Sequence, residues 1–395
     1  MSKLPLEGIK IIDLTAAVSG PFCTQLLGDF GANIIKIEPP KKGDMLREVG
    51  PFMDQESYYF LQNNRNKRSM TLNLKTEKGV EILKTLVKEA DVMVENYRPG
   101  VKKKLGIDYE EMKKDNPGLI YTSISGFGQT GPYANRPGFD PIAQGISGLC
   151  SVTGTKETGP FRVGIAIGDA LGGIFAAFGT LMAIIERGNS GQGQRVESSL
   201  LEGLVGVLGP QAAKYFATGS RPEPSGNDHP MLSPFGTFKT KDGYLNIGAG
   251  YQAIWERLAR ILGLEELIED PRFLKVGDRV KNNAELCGII EEKLVTKTNE
   301  NLQKELNDGG VPNGPILHVD EVFQNIQVLH QEMLIEKEHP TLGNIKMIGF
   351  PAKLSRTPPS VRFTPPILGE HTVEILEEAG YSKQTIQAIK DAGTL

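Results

Sequence analysis

The 395-residue sequence is poor in the features that usually announce a chemistry. Its three cysteines, Cys23, Cys150 and Cys287, are widely spaced and form no CxxC pair. That excludes a disulfide framework and a zinc ribbon. The five histidines, His229, His318, His330, His339 and His371, show no HExxH and no paired metal spacing, so no metal site is expected and each reads as a loop or surface residue. Lys and Arg number 44 against 48 Asp and Glu. With no basic excess and no polybasic tail, neither nucleic acid nor an anionic membrane surface is expected as a partner. The loop after the first apolar segment, LTAAVSGP, has one glycine, so the GxGxxG fingerprint is missing, and there is no Walker sequence. A Ser/His/Asp triad is open on spacing, but no GxSxG elbow supports it. The start, MSKLPLEGIKIIDL, lacks an apolar h-region and a small-residue cleavage site, so no secretory signal is expected and the compartment expected is the reducing cytoplasm.

One long apolar run is present. Residues 164–185 read GIAIGDALGGIFAAFGTLMAII and carry a single charge, Asp169. The length would span a bilayer. Five glycines, the absence of a second such run and the cost of a lone acid in lipid oppose a span. The stretch reads instead as an approach segment followed by a buried helix from Asp169 to about Arg187, with Asp169 as its N-cap. A helix start also stabilises an anion, which would keep the carboxylate ionised. A carboxylate with little water around it is a competent nucleophile toward an activated acyl group. Cap and nucleophile are both open on position alone.

Along the first half, strand-like and helix-like segments alternate: GIKIIDLT, FCTQLLGDFG, ANIIKIEPP, EKGVEILKTLVKEA, DVMVEN and LIYTSISGFG. This is the pattern of βαβ crossovers and a mainly parallel sheet, whose ligands sit beyond the carboxyl ends of the strands. GNSGQGQ (188–194) follows a helix and leads to the strand-like QRVESS, so it reads as a turn. TGSRPEPSGNDHP is a linker, and GTFKTKDGYLNIGAG beyond it reads as a hairpin turning at Asp242-Gly243. Helical segments follow near 251–263, 280–294 and 298–307. The expected division is 1–218 for the first part of a large domain and 219–228 for a linker. A small domain then covers 229–325, and 326–395 returns to the large domain.

Seven blocks in order, LEGIKIIDLT…GP, LLGDFGANIIKIEPP…GD, NNRNKRSMTLNLK, ADVMVENYRPG, SGFGQTGP, GFDPIAQGISGL and GQGQRVESSLLE, resemble the class III CoA-transferase family, and the resemblance extends through LGEHT near the end. That family includes formyl-CoA transferase, carnitine CoA-transferase and α-methylacyl-CoA racemase. The resemblance implies an α/β fold: a Rossmann-like large domain with a parallel sheet, a smaller inserted α+β domain, and an interlocked homodimer. It also implies a nucleophilic role for Asp169, which would form an aspartyl anhydride and then an aspartyl-CoA thioester as CoA moves from an acyl-CoA donor to a free carboxylic acid. No permanently bound cofactor is implied; the CoA thioester is a substrate.

The family positions for CoA contacts match Leu72, Lys75, Asn96, Tyr97, Arg98, Lys104 and Leu105, while Lys102 and Lys103 read as a solvated helix face. Arg47 and Arg136 are further candidates for a phosphate or an acceptor carboxylate, since guanidinium suits both. Asp140 is a supporting candidate, or a cap for the segment PIAQGISGL that follows it. In the racemase branch the GFD at 138–140 reads Gly-His-Asp; Phe139 cannot move a proton. An acyl-CoA racemase and a non-catalytic acyl-CoA-binding protein remain the alternatives. The apolar Ala16, Ala17 and Val18, and SGNDHPMLSPFG in place of a glycine run, depart from formyl-CoA transferase. They point to a larger or less charged acid, dicarboxylic, hydroxy or aromatic, with Asn227, Asp228 and His229 as residues that could face it.

Overall fold

The computed structural model describes residues 3–395. They form two compact units. The first takes in the described residues up to Gly148, then Val163–Val207 and Ile326–Leu395; the second is Leu149–Arg162 with Leu208–Asn325.

In the first unit six strands, β1 Lys10–Asp13, β2 Asn33–Glu38, β3 Lys67–Thr71, β4 Val92–Glu95, β5 Ile120–Ser125 and β6 Arg195–Ser199, make one sheet. Every neighbouring pair is parallel, in the order β3-β2-β1-β4-β5-β6. This is the strand order of a Rossmann-type sheet, and the order reverses between β1 and β4, where such sheets leave a crevice for ligands. On one face Ile12, Ile35, Met70, Met93 and Tyr121 pack against Ile82, Leu83 and Leu86 of α3 (Glu77–Lys88). The C-terminal helices α8 (Thr372–Glu378) and α9 (Lys383–Asp391) join the same core through Ile375, Leu376, Ile386 and Ile389. Each such side chain contributes about 1.5–3 kcal/mol when buried, which ties the chain end into the first unit.

The other face is covered by α1 (Ser19–Asp29) and α6 (Ile167–Ser190). The buried face of α6 is small: Gly168, Gly172, Gly173, Ala176, Ala177, Thr180 and Ala183. A Cβ on Gly173 would lie 2.5 Å from the Ser19 carbonyl oxygen, so α1 and α6 can approach this closely only with glycine there. Thr180 Oγ1 meets Thr122 Oγ1 of β5 at 2.7 Å. The large residues of α6, Ile174, Phe175, Phe178, Met182 and Ile185, are exposed instead. Among the described residues α6 is the one helix long and apolar enough to cross a membrane. Its small side packs on protein and its bulky side is uncovered in a single chain. α6 ends at Gly191, and the following turn enters β6, as GNSGQGQ suggested.

A buried ion network joins Asp13 at the carboxyl end of β1, Lys36 within β2, Lys67 at the start of β3 and Asp44 in the loop after β2. Lys36 Nζ donates to Asp44 Oδ2 and to the Thr15 carbonyl, each at 2.8 Å. Asp44 Oδ1 accepts from the amides of Ala17 and Leu46, both at 3.0 Å. Lys67 Nζ reaches Asp13 at 3.1 Å, the Pro21 carbonyl at 2.8 Å and Asn64 Oδ1 at 2.9 Å. All four charged side chains are fully buried. Burial pushes Lys67 down to about 8 against the pull of Asp13. For Asp13 burial acts upward, but the charges of Lys67 and Lys36 outweigh it and hold it below the usual range.

A hairpin, Leu334–His339 with Gly343–Ile348, fastens α2 (Tyr58–Gln62): Tyr58 Oη donates to the Lys346 carbonyl at 2.9 Å and accepts from Lys346 N–H at 2.7 Å. His339, expected in a loop or at the surface, ends the first strand of this hairpin and is buried, with Nε2 2.8 Å from the Pro365 carbonyl. In the second unit Phe235–Lys239 and Tyr244–Gly248 form the expected hairpin, with Asn313–Pro315 as a third strand. Helices Gln252–Leu262, Asn283–Leu294 and Asn299–Asp308 pack with it around Trp255. The helix Gly209–Thr218, which lies before the expected linker, and Leu149–Arg162 also belong to this unit.

Replacing Lys36 by Met leaves Asp44 buried without its counter-charge. Urea denaturation of Lys36→Met is expected to show a loss of roughly 3–5 kcal/mol, as for other broken buried pairs.

Candidate active site

The sequence placed Asp169 at the cap of a helix that would keep it ionised. The structure corrects this. α6 begins at Ile167, its N-cap is Ala166 with no side-chain bond, and Asp169 lies inside the first turn. The capping group comes from elsewhere. Asp140 Oδ1 accepts from the amides of Gly168 at 2.7 Å and Asp169 at 3.3 Å. Asp140 is the first residue of α5 (Asp140–Ile146), whose own N-cap is Phe139, so it caps α6 rather than the helix it opens. Its Oδ2 accepts from Gln144 Nε2 at 2.6 Å.

Two consequences follow for Asp169. The amides that a local cap would have used are occupied by a second carboxylate, and that carboxylate is a negative neighbour. Asp169 is therefore raised to about 6, by burial first and by the Asp140 charge second, with a hydrogen bond from Ser19 pulling the other way. Such a carboxylate is ionised at neutral pH but more basic than an exposed one, which favours attack on a carbonyl.

Ser19 and Tyr59 were not singled out from sequence. Ser19 opens α1, directly after the loop of Ala16, Ala17 and Val18. Tyr59, on α2, is held above its ordinary value by burial and then by the charges of Asp169 and Asp140, so its hydroxyl stays protonated beside them. A capping serine, Ser57, marks α2 in the sequence, but nothing local aims Tyr59 at an aspartate more than a hundred residues on.

The loop between β1 and α1 is fixed from two sides. Asn96 Oδ1 accepts from Ala16 N–H at 3.0 Å and Asn96 Nδ2 donates to the Ala16 carbonyl at 2.8 Å. Asp44 takes the Ala17 amide, and Ala17 has a φ of 65°, a conformation that needs such anchoring in a residue with a Cβ. The Asn96 amide thus binds across the β1/β4 reversal, between the two loops that border the crevice.

Four of the expected CoA contacts come together. Leu72, Lys75, Tyr97 and Leu105 line one cavity of about 240 Å³ with Ile37 and Val101, in a mostly apolar wall. Lys75 and Leu105 also border a neighbouring recess of about 480 Å³, together with Lys104 and Lys84. An apolar slot beside ammonium groups suits a nucleotide base and its phosphates. Burial, then Glu95, pushes Tyr97 up to about 12, so its side chain is a neutral phenol at physiological pH. Arg98 is exposed at the N-cap of α4 (Pro99–Leu105).

Other candidates are engaged elsewhere. Arg47 forks onto Glu38 at 2.7 and 2.8 Å and lies 3.6 Å over the Phe60 ring, nearly buried. Arg136 is exposed, 4.3 Å over Tyr133. Lys102 is no solvated lysine: it donates to Glu95 at 2.7 Å, Ser123 at 2.9 Å and Gln129 at 2.7 Å. In the second unit Asp228 accepts from Asn283 at 2.8 Å, and His229 Nδ1 accepts from Met231 N–H at 3.1 Å. Among the described residues no cluster of His, Cys, Asp and Glu could hold a metal ion.

With this geometry in hand, the comparisons with known proteins are specific. The chain belongs to CoA-transferase family III, whose model matches residues 6–372. It is 40% identical to succinyl-CoA:glutarate CoA-transferase of Mus musculus over 397 aligned residues, covering 100% of this chain and 91% of that protein. It is 39% identical to succinyl-CoA–D-citramalate CoA-transferase of Chloroflexus aurantiacus, over 95% of this chain and 94% of the other. A CAIB/BAIF family protein from Brucella suis superposes with a TM-score of 0.86 at 37% identity, over 96% of this chain and all of that one. The chain is a CoA-transferase acting on acyl-CoA.

Because the folded state raises the proton affinity of Asp169, its ionised form destabilises the fold. That cost is present in full above pH about 6 and disappears below the ordinary value of 3.8. Asp169→Asn is therefore expected to stabilise the protein at pH 7.5, by on the order of 1–3 kcal/mol. The gain should shrink below pH 6 and vanish by about pH 3 when denaturation midpoints are compared.

Proposed function

We propose that this enzyme moves CoA from a short dicarboxyl-CoA, such as succinyl-CoA, to a free dicarboxylic acid, with Asp169 as the nucleophile. The observation that carries the reading is the half-buried Asp169 carboxylate, raised to about 6 at the start of α6. The substrate class draws on the names of the relatives, which pair succinyl-CoA with glutarate and with D-citramalate. The apolar Ala16–Val18 loop supports an acid larger than formate.

The steps balance without ATP. Asp169 attacks the donor thioester; the C–S bond breaks, giving an aspartyl–acyl anhydride and CoA thiolate. The thiolate attacks the aspartyl carbonyl, forming an aspartyl-CoA thioester and releasing the donor acid. The acceptor carboxylate attacks that thioester, giving a new anhydride and thiolate. Attack of the thiolate on the acceptor acyl carbon yields acceptor-CoA and restores Asp169. The surrounding protein limits the water that would hydrolyse either anhydride. Leu72, Lys75, Tyr97, Lys104 and Leu105 would hold the CoA, with Asn96 keeping the neighbouring loop in place.

The working form is a homodimer of interlocked chains in the cytoplasm. The uncovered Ile174, Phe175, Phe178, Met182 and Ile185 support a second copy over α6, since a patch of this kind is costly in water. Lipid is the less favoured cover because the other side of the same helix is packed on protein along its length. The absence of a disulfide among the described residues is compatible with a reducing compartment.

With succinyl-CoA and doubly ¹⁸O-carboxyl-labelled glutarate, glutaryl-CoA is expected, and one heavy oxygen should appear in the Asp169 peptide by mass spectrometry. Asp169→Ala should lose exchange at least 10³-fold, roughly the loss seen on removing a nucleophile. Unlabelled Asp169 after turnover would defeat the mechanism. Light scattering of the purified protein is expected to give twice the chain mass; the chain mass alone would refute the dimer.

A further inference from the structure

Gln144 is fully buried on α5, and its side-chain amide has three hydrogen-bond partners. Its Oε1 accepts from Val163 N–H at 2.8 Å. A backbone N–H can only donate, so this contact fixes which end of the amide is oxygen. The other end must be Nε2, and it donates to Asp140 Oδ2 at 2.6 Å, with the Ile165 carbonyl at 3.4 Å. Asp140 therefore accepts on both oxygens, from Gln144 on one side and from Gly168 and Asp169 on the other. Donors on both oxygens fix the orientation of the carboxylate.

We propose that Gln144 is a positioning residue that holds Asp140 aimed at the start of α6, and through it sets the reactivity of Asp169. The hydrogen bonds run from the Val163 N–H through the Gln144 and Asp140 side chains to the Asp169 N–H, each link one donor to one acceptor. Fixed negative charge beside the nucleophile raises its basicity without blocking it, because Asp140 is turned to the helix amides.

Few other groups can play this part. From α1 the nearest group is the neutral Ser19, and from α2 the protonated Tyr59. α7 (Leu200–Gly206) brings Glu202, which is turned to Ser199 Oγ at 2.7 Å. On β5, Tyr121 donates to the Ile107 carbonyl. On β6, Arg195 and Glu197 flank Val196, which meets α6 at Gly179, about 15 Å along the helix from Asp169.

The inference rests on the reading of Asp169 as nucleophile, and a double substitution separates the two. In Asp140→Asn/Gln144→Glu the new amide still accepts the α6 amides through its oxygen. Its NH₂ donates to the new carboxylate, which still accepts from Val163 N–H. The short hydrogen bonds survive, only the long one to the Ile165 carbonyl is lost, and the charge moves one side chain away from Asp169. Carboxyl-detected NMR of ¹³C-aspartate-labelled protein, with the Asp169 signal assigned through Asp169→Asn, reads its titration without turnover. The midpoint near 6 in the unaltered chain is expected to fall by about one pH unit in the double variant, the size of effect a neighbouring charge has on a carboxylate. The acid limb of CoA exchange should move with it. A folded double variant with an unchanged midpoint overturns the proposal. If circular dichroism shows the double variant unfolded, Gln144→Met is titrated instead, and the same two outcomes apply. A shifted midpoint in a protein that never exchanges CoA would remove the nucleophile reading and leave the electrostatic linkage standing.

Discussion

The first unit of this molecule depends on charges that water never reaches. Lys36, Asp44, Lys67 and Asp13 lie under the loop that joins β1 to α1, and their hydrogen bonds go to that loop and to the helix it enters: the Thr15 carbonyl and Ala17 amide in the loop, and the Pro21 carbonyl in the first turn of α1. An apolar core could have been as stable. What the ions supply is direction. They hold a short apolar loop, with Ala17 in a left-handed conformation, so that Ser19 leaves it at the point where α1 meets α6. Asn96 completes the anchoring from β4, so the crevice at the strand-order reversal has one wall tied to the other.

Periodicity in the sequence was enough to expect an α/β unit with a parallel sheet. Strand order was out of reach, because it follows from pairings such as Ile12 with Met93 across some eighty residues. The same distinction governs the site. Asp169 stood out as the lone charge of an apolar run, and Leu72, Lys75, Tyr97 and Leu105, taken from family-like blocks, do share a cavity. What local patterns missed was the source of each partner. The α6 cap comes from a residue 29 positions earlier, so a local reading made Asp169 its own cap and inverted its electrostatics. Lys102 sits in a lysine run that looks solvated, yet Glu95, seven residues back at the end of β4, draws it inward.

The long helix brings these threads together. Its small face permits the close approach that brings Ser19 to Asp169, and glycine or alanine there carries no large side chain to adjust. The bulk that a helix normally turns inward has moved to the opposite side. One helix therefore sets the distance to the sheet on one side and presents an adhesive surface on the other.

Gln144 also has a topological effect. The chain leaves the first unit after Gly148 and returns at Val163, and Gln144 ties the point of return to the helix just before the departure. The detour of residues 149–162 is thus a loop whose two ends are stitched together by one amide. Lengthening such a closed loop is cheap, about 0.6 kcal/mol per doubling. Insertions there could accumulate without disturbing Asp140, so this part of the chain is free to diverge in length while the geometry around Asp169 stays constant.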